Sequence, residues 1–352
     1  MLCIKDQAFR WQKCEILVMQ RKLFGVFMTA LSGYALVGDI GGTNARLAIC
    51  NLADGSISDP IIYSALEHDS LESVIQKFRQ DTKVDFTAAC IAIACPVNQD
   101  YIKMTNNPWA FSKSQLKVNL GLDTLLVVND FTAMCMSVTC LDKKTLVKIG
   151  GGEPDPNAPI AVYGAGTGLG VAHLIKHNDL WIPLSGEGGH VDLAPANMSE
   201  DMILITLRAR IGHVSAERVL SGPGLLNLYE AIAMRNERLR TGLTPADITA
   251  SALSANPDPD CLEALNTFCR LMGRFGGNLA LTLGTFGGVY VAGGVVPRFI
   301  DFFKNSKFRD AFEDKGRFKD YLSRIPTYVI TEPKAGLLGA AATLRQELGA
   351  VL

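Results

Sequence analysis

The sequence has no excess of either charge, no apolar run of membrane length, no C-x-x-C pair and no Gly-Lys dipeptide, and each absence removes a class of function. Lys and Arg number 34 against 35 Asp and Glu, a formal net charge of −1. With no basic face to track a phosphate backbone, nucleic acid is not an expected partner. Arg10, Lys13, Arg21 and Lys22 interrupt the apolar stretches near the N-terminus, and the longest run there, Leu23 to Met28, is about six residues. That is too short for a membrane span or a secretory signal, so a cytoplasmic location without a membrane partner is expected. The nine cysteines (3, 14, 50, 90, 95, 135, 140, 261 and 269) are odd in number and scattered. They read as reduced thiols used as small apolar residues rather than as zinc ligands, and the five-residue steps 90/95 and 135/140 place partners on opposite faces of a strand.

Glycine, by contrast, is plentiful, at 33 of 352 residues. The length suggests two lobes. Residues 1–33 read as an N-terminal extension, with Met28 a candidate native start; 34–140 form a small α/β lobe, 141–334 a larger one, and a helix over 335–349 folds back on the first. Apolar runs at Tyr34–Val37 and Ala45–Cys50 flank a glycine-rich segment, and the plan recurs at Ile160–Tyr163 and Val171–Ile175, a weak internal duplication of one hairpin per lobe. Cys90–Ala94, Leu125–Val128 and Val289–Ala292 are continuous apolar runs of the kind seen in strands covered on both faces. A capping pattern at Ser70-Leu-Glu-Ser predicts a helix to Arg79, and alternating strands and helices predict an α/β architecture.

Three glycine-rich segments, 38–43, 164–170 and 293–294, each follow a strand and can bring backbone N–H groups against an anion. A P-loop is excluded by the missing Gly-Lys, and a dinucleotide-binding turn needs G-x-G-x-x-G ahead of a helix, whereas Gly164, Gly166, Gly168 and Gly170 lead into a strand. A two-hairpin phosphate clasp is left, with Gly38, Asp39, Ile40, Gly41, Gly42 and Thr43 on one side and Gly164, Gly166, Thr167, Gly168, Gly293 and Gly294 on the other. Asp39 among such donors suits a cation, Mg²⁺ carried with the nucleotide, although an Asx-turn would also account for it.

Gly38-Asp-Ile-Gly-Gly-Thr-Asn44, Val128-Asn-Asp-Phe-Thr-Ala133, Gly164-Ala-Gly-Thr-Gly-Leu-Gly170, Gly186-Glu-Gly-Gly-His190 and Gly284-Thr-Phe-Gly-Gly-Val-Tyr-Val-Ala-Gly-Gly294 together resemble the bacterial glucokinase family, in its enterobacterial-type branch, over about Tyr34 to Leu352. The resemblance implies a two-lobed actin-like, ribonuclease H-like ATPase fold with ATP and sugar between the lobes, and usually a homodimer. It also implies transfer of the ATP γ-phosphoryl to the 6-hydroxyl of glucose, the opening step of glycolysis. The cysteine-rich zinc motif of the related repressor/ORF/kinase group is absent from this sequence.

A hexose hydroxyl is a poor nucleophile at neutral pH and needs a carboxylate in hydrogen-bond reach. Asp130 ends a buried apolar run, where ligands of α/β sheets collect, and Asn129 beside it can bond sugar hydroxyls; the same pair could equally cap the following helix. The resemblance assigns Asp130 the base and gives Glu187, His190 and Glu217 sugar contacts. Read alone, Glu217 fits the solvated face of an amphipathic helix and His190 a structural histidine. Asn106, in Thr105-Asn-Asn-Pro-Trp109, matches the family's sugar-side loop, and Ser221–Gly224 with Gly293-Gly294 would flank adenosine. His173 and His177 read as structural or exposed, and Phe268, Met272 and Phe275 as a core helix face. A kinase for another hexose, a non-catalytic sugar sensor and an actin-like ATPase module are the competing readings. A sensor would have lost Asp130, and an ATPase module would not need the Gly186–His190 turn.

Overall fold

The computed structural model describes residues 31–105 and 107–352. The possible start at Met28, the rest of the extension through residue 30, and Asn106 lie outside the described residues. In chain order the strands are β1 (Tyr34–Ile40), β2 (Asn44–Asn51), β3 (Ile61–Ser64), β4 (Ala88–Ile93), β5 (Tyr101–Lys103), β6 (Ala110–Ser112), β7 (Thr124–Asn129), β8 (Leu146–Gly150), β9 (Ile160–Ala165), β10 (Leu169–His177), β11 (Leu180–Gly186), β12 (Gly288–Ala292) and β13 (Thr327–Ile330).

Two principal sheets share one plan. The first runs β3-β2-β1-β4-β7 and the second β11-β10-β9-β12-β13, with β8 added at its far edge. In each, two antiparallel pairings build a meander; the first strand of that meander then pairs in parallel with the next strand, and that one in parallel with the one after it. The duplication visible in the sequence as one hairpin per lobe therefore extends to five strands per sheet.

Each sheet is covered on both faces, as its continuous apolar strands require. On one face of the first, Leu36, Ile40, Leu47 and Ile91 meet Val74, Ile75 and Phe78. These last belong to the Leu71–Thr82 helix, which the Ser70/Ser73 capping box opens. The other face is built of small residues, Ala35, Val37, Ala48, Cys50 and Cys90, and admits Leu337, Ala340, Ala341 and Leu344 of the C-terminal helix Ala335–Glu347. In the second sheet Tyr163, Val289 and Val291 pack with Phe268, Met272 and Phe275 of the long Pro259–Leu283 helix. Its opposite face, with Val162, Ala172 and Leu174, receives Cys135 and Met136 of the Asp130–Ser137 helix. Cys135 is thus helical, and the strand geometry expected for the 135/140 pair does not occur.

The Asp130–Ser137 helix and the C-terminal helix consequently lie between the sheets and against each other. A Cβ on Gly339 would stand 1.6 Å from the carbonyl oxygen of Ala133, a separation only glycine permits. Among the described residues no helix is long and apolar enough to cross a membrane.

Helix propensity alone makes Gly339→Ala stabilising by up to about 1 kcal/mol. The contact with Ala133 reverses the sign: the variant is expected to lose about 1–3 kcal/mol through overpacking, read as a lower Tm. An unchanged or higher Tm would show that the crossing yields.

Candidate active site

The carboxyl ends of β1, β4 and β7 meet at one edge of the first sheet, because Ile40 pairs with Ile93 and Ile93 with Asn129. Three chain segments leave from that row: the turn Gly41–Thr43, the Ala94-Cys95 exit and Asp130. Open α/β sheets collect ligands at such an edge.

Only Gly41, Gly42 and Thr43 of the glycine-rich segment 38–43 form the turn. Gly38, Asp39 and Ile40 are strand residues, a correction to their reading as loop donors. Ile40 is fully buried. Gly38 is there for packing, since an added Cβ would sit 2.8 Å from Ile91 Cδ1 and 2.9 Å from Leu47 Cδ2. The Gly41 N–H is spent closing the hairpin onto Asn44 O at 2.9 Å. Strand alternation turns Asp39 to the opposite face, toward the C-terminal helix, where a Cβ on Gly336 would lie 3.4 Å from the carboxylate. Arg46, its register partner on β2, stands 3.7 Å away. Burial raises the Asp39 pKa and the Arg46 guanidinium opposes the rise, while 29% of the side chain stays exposed.

Asn129 and Asp130 both serve the helix they begin. Asn129 Oδ1 accepts from the N–H of Phe131 at 2.9 Å and of Thr132 at 3.3 Å, and the Asn129 side chain also hydrogen-bonds the Asp130 carboxyl, which pulls that pKa down. Asp130 Oδ1 accepts from Phe131 N at 2.9 Å. Burial pushes the Asp130 carboxyl up to about 6; the Phe131 N–H pulls against this and the charge of Asp39 adds to it. The buried Cys95 thiol is itself raised by burial and by Asp130, so it stands beside that carboxylate.

The second sheet gathers the remaining residues. Gly164, near the end of β9, lies so close to β12 that a Cβ would meet Ala292 O at 2.0 Å, and one on Gly293 would meet Ala165 O at 2.4 Å. Both glycines are packing positions, whereas Gly166 and Gly294 face open space. The Gly166 N–H closes its own turn onto Gly168 O at 2.8 Å, and its carbonyl accepts from Gly222 N at 2.8 Å. This docks the start of the Gly222–Arg235 helix, capped by Ser221, on the glycine turn. Thr167 and Gly168 form the tip of that turn.

Glu217 sits on a short 3-10 turn, Ala216–Arg218, rather than on the expected amphipathic helix. Its Oε2 accepts from Leu169 N at 2.9 Å, tying it to the end of the same glycine turn. Glu187 and His190, both exposed, bracket a 3-10 turn at Gly188–His190. Gly189 lets that turn lie against Leu169 O. Ala216 N donates to Val191 O at 2.8 Å, so Glu187, His190 and Glu217 share one corner of the second lobe. Beside the undescribed Asn106, Asn107 is buried with its Nδ2 unpartnered, and Trp109 Nε1 donates to His68 O at 2.9 Å. His173 lies within β10 and His177 ends it.

Phe131 links the two groups, its ring filling the place a Cβ on Gly170 would take, at 1.9 Å. Sequence reasoning passed over Arg46, Cys95 and Gly170. Arg46 was accessible from hairpin arithmetic: closing β1 and β2 over Gly41–Thr43 places it opposite Asp39. Among the described residues no group of three or more His, Cys, Asp or Glu could hold a metal ion by itself.

A family model described as Glucokinase matches residues 36–347. A curated glucokinase of Yersinia pestis (strain Pestoides F) is 59% identical over 319 residues, 91% of this chain and 98% of that protein. A Yersinia pseudotuberculosis glucokinase (serotype O:1b) gives the same identity and coverage, 59%, 91% and 98%. Among solved structures, a glucokinase from an Antarctic psychrotroph has a TM-score of 0.83 at 34% identity, covering 90% of this chain and 100% of that one. A ROK-family glucokinase from Streptomyces griseus, in complex with glucose and AMPPNP, shares the fold with a TM-score of 0.61 at 18% identity, over 89% of this chain and 100% of that one. The architecture is the two-lobed actin-like ATPase fold.

In the free protein the Asp130 carboxyl is expected to titrate near 6, as its burial sets. Asp39→Asn removes a neighbouring negative charge and lowers that midpoint. Carboxyl-carbon NMR reads both; a midpoint unmoved by Asp39→Asn would mean the two carboxylates do not sense each other.

Proposed function

The chain belongs to the glucokinase family, and from that premise we propose that it phosphorylates glucose at the 6-hydroxyl from ATP with Asp130 as general base. The observation that carries the reading is the Asp130 carboxylate: it stands where three parallel strands end, and burial brings its pKa to about 6. A base of that pKa is ionised at neutral pH yet basic enough to accept a proton as the hydroxyl attacks. The O6 proton passes to Asp130, an O6 lone pair forms the bond to the γ-phosphorus, and the bond to the bridging oxygen breaks to release ADP.

Sugar and nucleotide are assigned to opposite sides of this carboxylate. Glu187, His190 and Glu217 share one corner and would accept or donate to vicinal hydroxyls, with the Asn129 amide donating from the base side. Asn106 is assigned to the sugar from its motif alone. On the phosphate side the committed N–H groups of Gly41 and Gly166 leave Gly42, Thr43, Thr167 and Gly168 as the proposed donors, with Gly294 and the Ser221–Gly224 helix start beside the adenosine. Arg46 takes the place of the absent P-loop lysine. The lobes are taken as 34–140 and 141–334, with 335–349 returning to the first.

Mg²⁺ fits this donor set. Burial raises the pKa of both carboxyls, the charge of Asp39 adds to the rise at Asp130, and Arg46 opposes the rise at Asp39, so a cation beside Asp39 would complete the balance. Such an ion would be held by Asp39 and by phosphate oxygens, and when bound it would neutralise charge on the phosphates.

The Streptomyces griseus protein is described with glucose and AMPPNP and a Balamuthia mandrillaris glucokinase with glucose, which supports assigning the same pair of substrates here. A sensor is disfavoured because Asp130 is present and set up as a base.

Asp130→Asn is expected to lower kcat for glucose about 10²–10⁴-fold while leaving the glucose KM within a few-fold. It should also raise stability at pH 7.5 by about 1–3 kcal/mol, because it removes a desolvated charge. In wild type, kcat/KM falls as pH drops below about 6, where the base becomes protonated. A coupled assay across glucose, mannose, fructose and glucosamine tests the substrate: turnover of another hexose but not glucose would overturn the sugar, and full activity of Asp130→Asn would overturn the base.

A further inference from the structure

The Pro259–Leu283 helix turns Phe268, Met272 and Phe275 toward the second sheet. At about 100° per residue Arg270 and Arg274 each stand about 160° from Met272, on the side away from that sheet. There the helix meets a second one, Phe308–Glu313. Gly273 allows the approach, since a Cβ on it would lie 1.9 Å from Phe308 O. Beside this contact is a cavity of about 350 Å³, to which the long helix contributes Arg270 and Arg274 and the following segment Lys307 and Lys319. The size suits a small molecule, whose sites run from about 300 to 1,000 Å³. None of the residues lining it has a part in the site around Asp130 or in the sugar corner.

The two arginines are held in place by the protein itself. Glu200, 3% exposed, accepts from Arg270 Nε at 2.8 Å, from Arg274 Nη1, and from Ala196 N at 2.9 Å. One carboxylate thus fixes two guanidinium groups and balances the charge of one. Arg274 is only 9% exposed, yet its Nε and Nη2 have no acceptor among the described residues, and neither has Arg270 Nη1. None of these three nitrogens is sealed from solvent, so each can donate to a molecule in the cavity.

The charge around the cavity does not close. Lys307 pairs with Asp310, and Glu313 with Arg309, which leaves those four neutral as a group. Lys319 has no ion-pair partner among the described residues, and Lys315 donates to two uncharged acceptors, Arg274 O at 3.2 Å and Asn278 Oδ1 at 2.6 Å. Burial lowers the Lys315 pKa and the charge of Arg274 lowers it further, against the opposing pull of Asp314. The arginines and Glu200 leave one positive charge, and Lys315 and Lys319 against Asp314 leave another, an excess of two.

Forked donors around an excess of two positive charges match a tetrahedral dianion better than a neutral sugar or a single carboxylate. We propose that this cavity is a second binding site, for a dianionic phosphoryl group, either inorganic phosphate or the phosphate monoester of a small metabolite. Arg270 and Arg274 would donate their unused N–H groups to its oxygens while keeping Glu200, and Lys319 would supply charge from the exposed side.

Isothermal titration of the full chain at low ionic strength, with inorganic phosphate, glycerol 3-phosphate and glucose 6-phosphate as probes, tests this. Saturable binding is expected. Lys319→Glu should raise the Kd about tenfold or more, and Asp314→Asn should lower it about threefold or more. A gain in affinity is an effect that general destabilisation cannot produce. Both positions are exposed, so circular dichroism and the KM values for glucose and ATP should be unchanged in both variants, and phosphate bound at the site around Asp130 would not respond to either substitution. Tighter binding of the two esters than of inorganic phosphate assigns the cavity to a phosphate monoester, and equal binding assigns it to free phosphate. No saturable binding of any probe, or a Kd that neither substitution moves, overturns the proposal.

Discussion

The close crossing of the Asp130–Ser137 helix and the C-terminal helix is the constraint on which the rest depends. Gly339 against the Ala133 carbonyl brings the two helix axes together, and with them the two sheets. The C-terminal helix fills the small-residue face of the first sheet, and the Asp130 helix fills the inner face of the second. One short helix thus follows directly on the last strand of the first lobe's sheet and buries its body against the other lobe. Any movement between the lobes changes the surroundings of Asp130, because Phe131, its neighbour, is already seated on Gly170.

That placement explains the electrostatics. A carboxylate between two sheets loses water from both sides, and its pKa rises mainly for that reason. Asp39 is raised by the same burial and lies close enough to add to the effect, so the free protein holds two carboxylates with Arg46 as a partial counter-charge. Such a site is short of positive charge, which is what the cation proposed to accompany the nucleotide would supply. Two desolvated carboxylates side by side cost stability, an arrangement in which stability is exchanged for reactivity.

Much of the fold was legible because the relevant signals are local. The runs Tyr34–Val37, Leu125–Val128 and Val289–Ala292 lie within observed strands, and Ser70 caps the predicted helix. The strand-turn-strand repeat pointed to the duplicated sheet. Glycine chemistry was less legible, since a glycine in sequence does not say which neighbour it makes room for. Gly38, Gly164 and Gly293 are occupied by close packing, with Ile91, Ala292 and Ala165, and the donors of Gly41 and Gly166 by turn closure. Periodicity misread Glu217, whose 3-10 turn is held by contacts to Leu169 and Val191 that come from distant parts of the chain. Arg46 needed only the hairpin register, which motif reading skips.

The two sheets are copies in plan but not in what they carry between strands. In the first, the connection from β3 to β4 is little more than the Leu71–Thr82 helix; in the second, the corresponding connection from β11 to β12 runs from Glu187 to Gly287 and holds four long helical segments and both 3-10 turns. Both hairpins can present backbone donors to an anion, so the proposed phosphate contacts fall in the duplicated part. Glu187, His190 and Glu217, the proposed sugar contacts, all lie in the enlarged connection, the part that is not duplicated. A repeated scaffold can bind what is common to its two halves, and an asymmetric insertion is where a particular second substrate can be specified without disturbing the sheets that position Asp130.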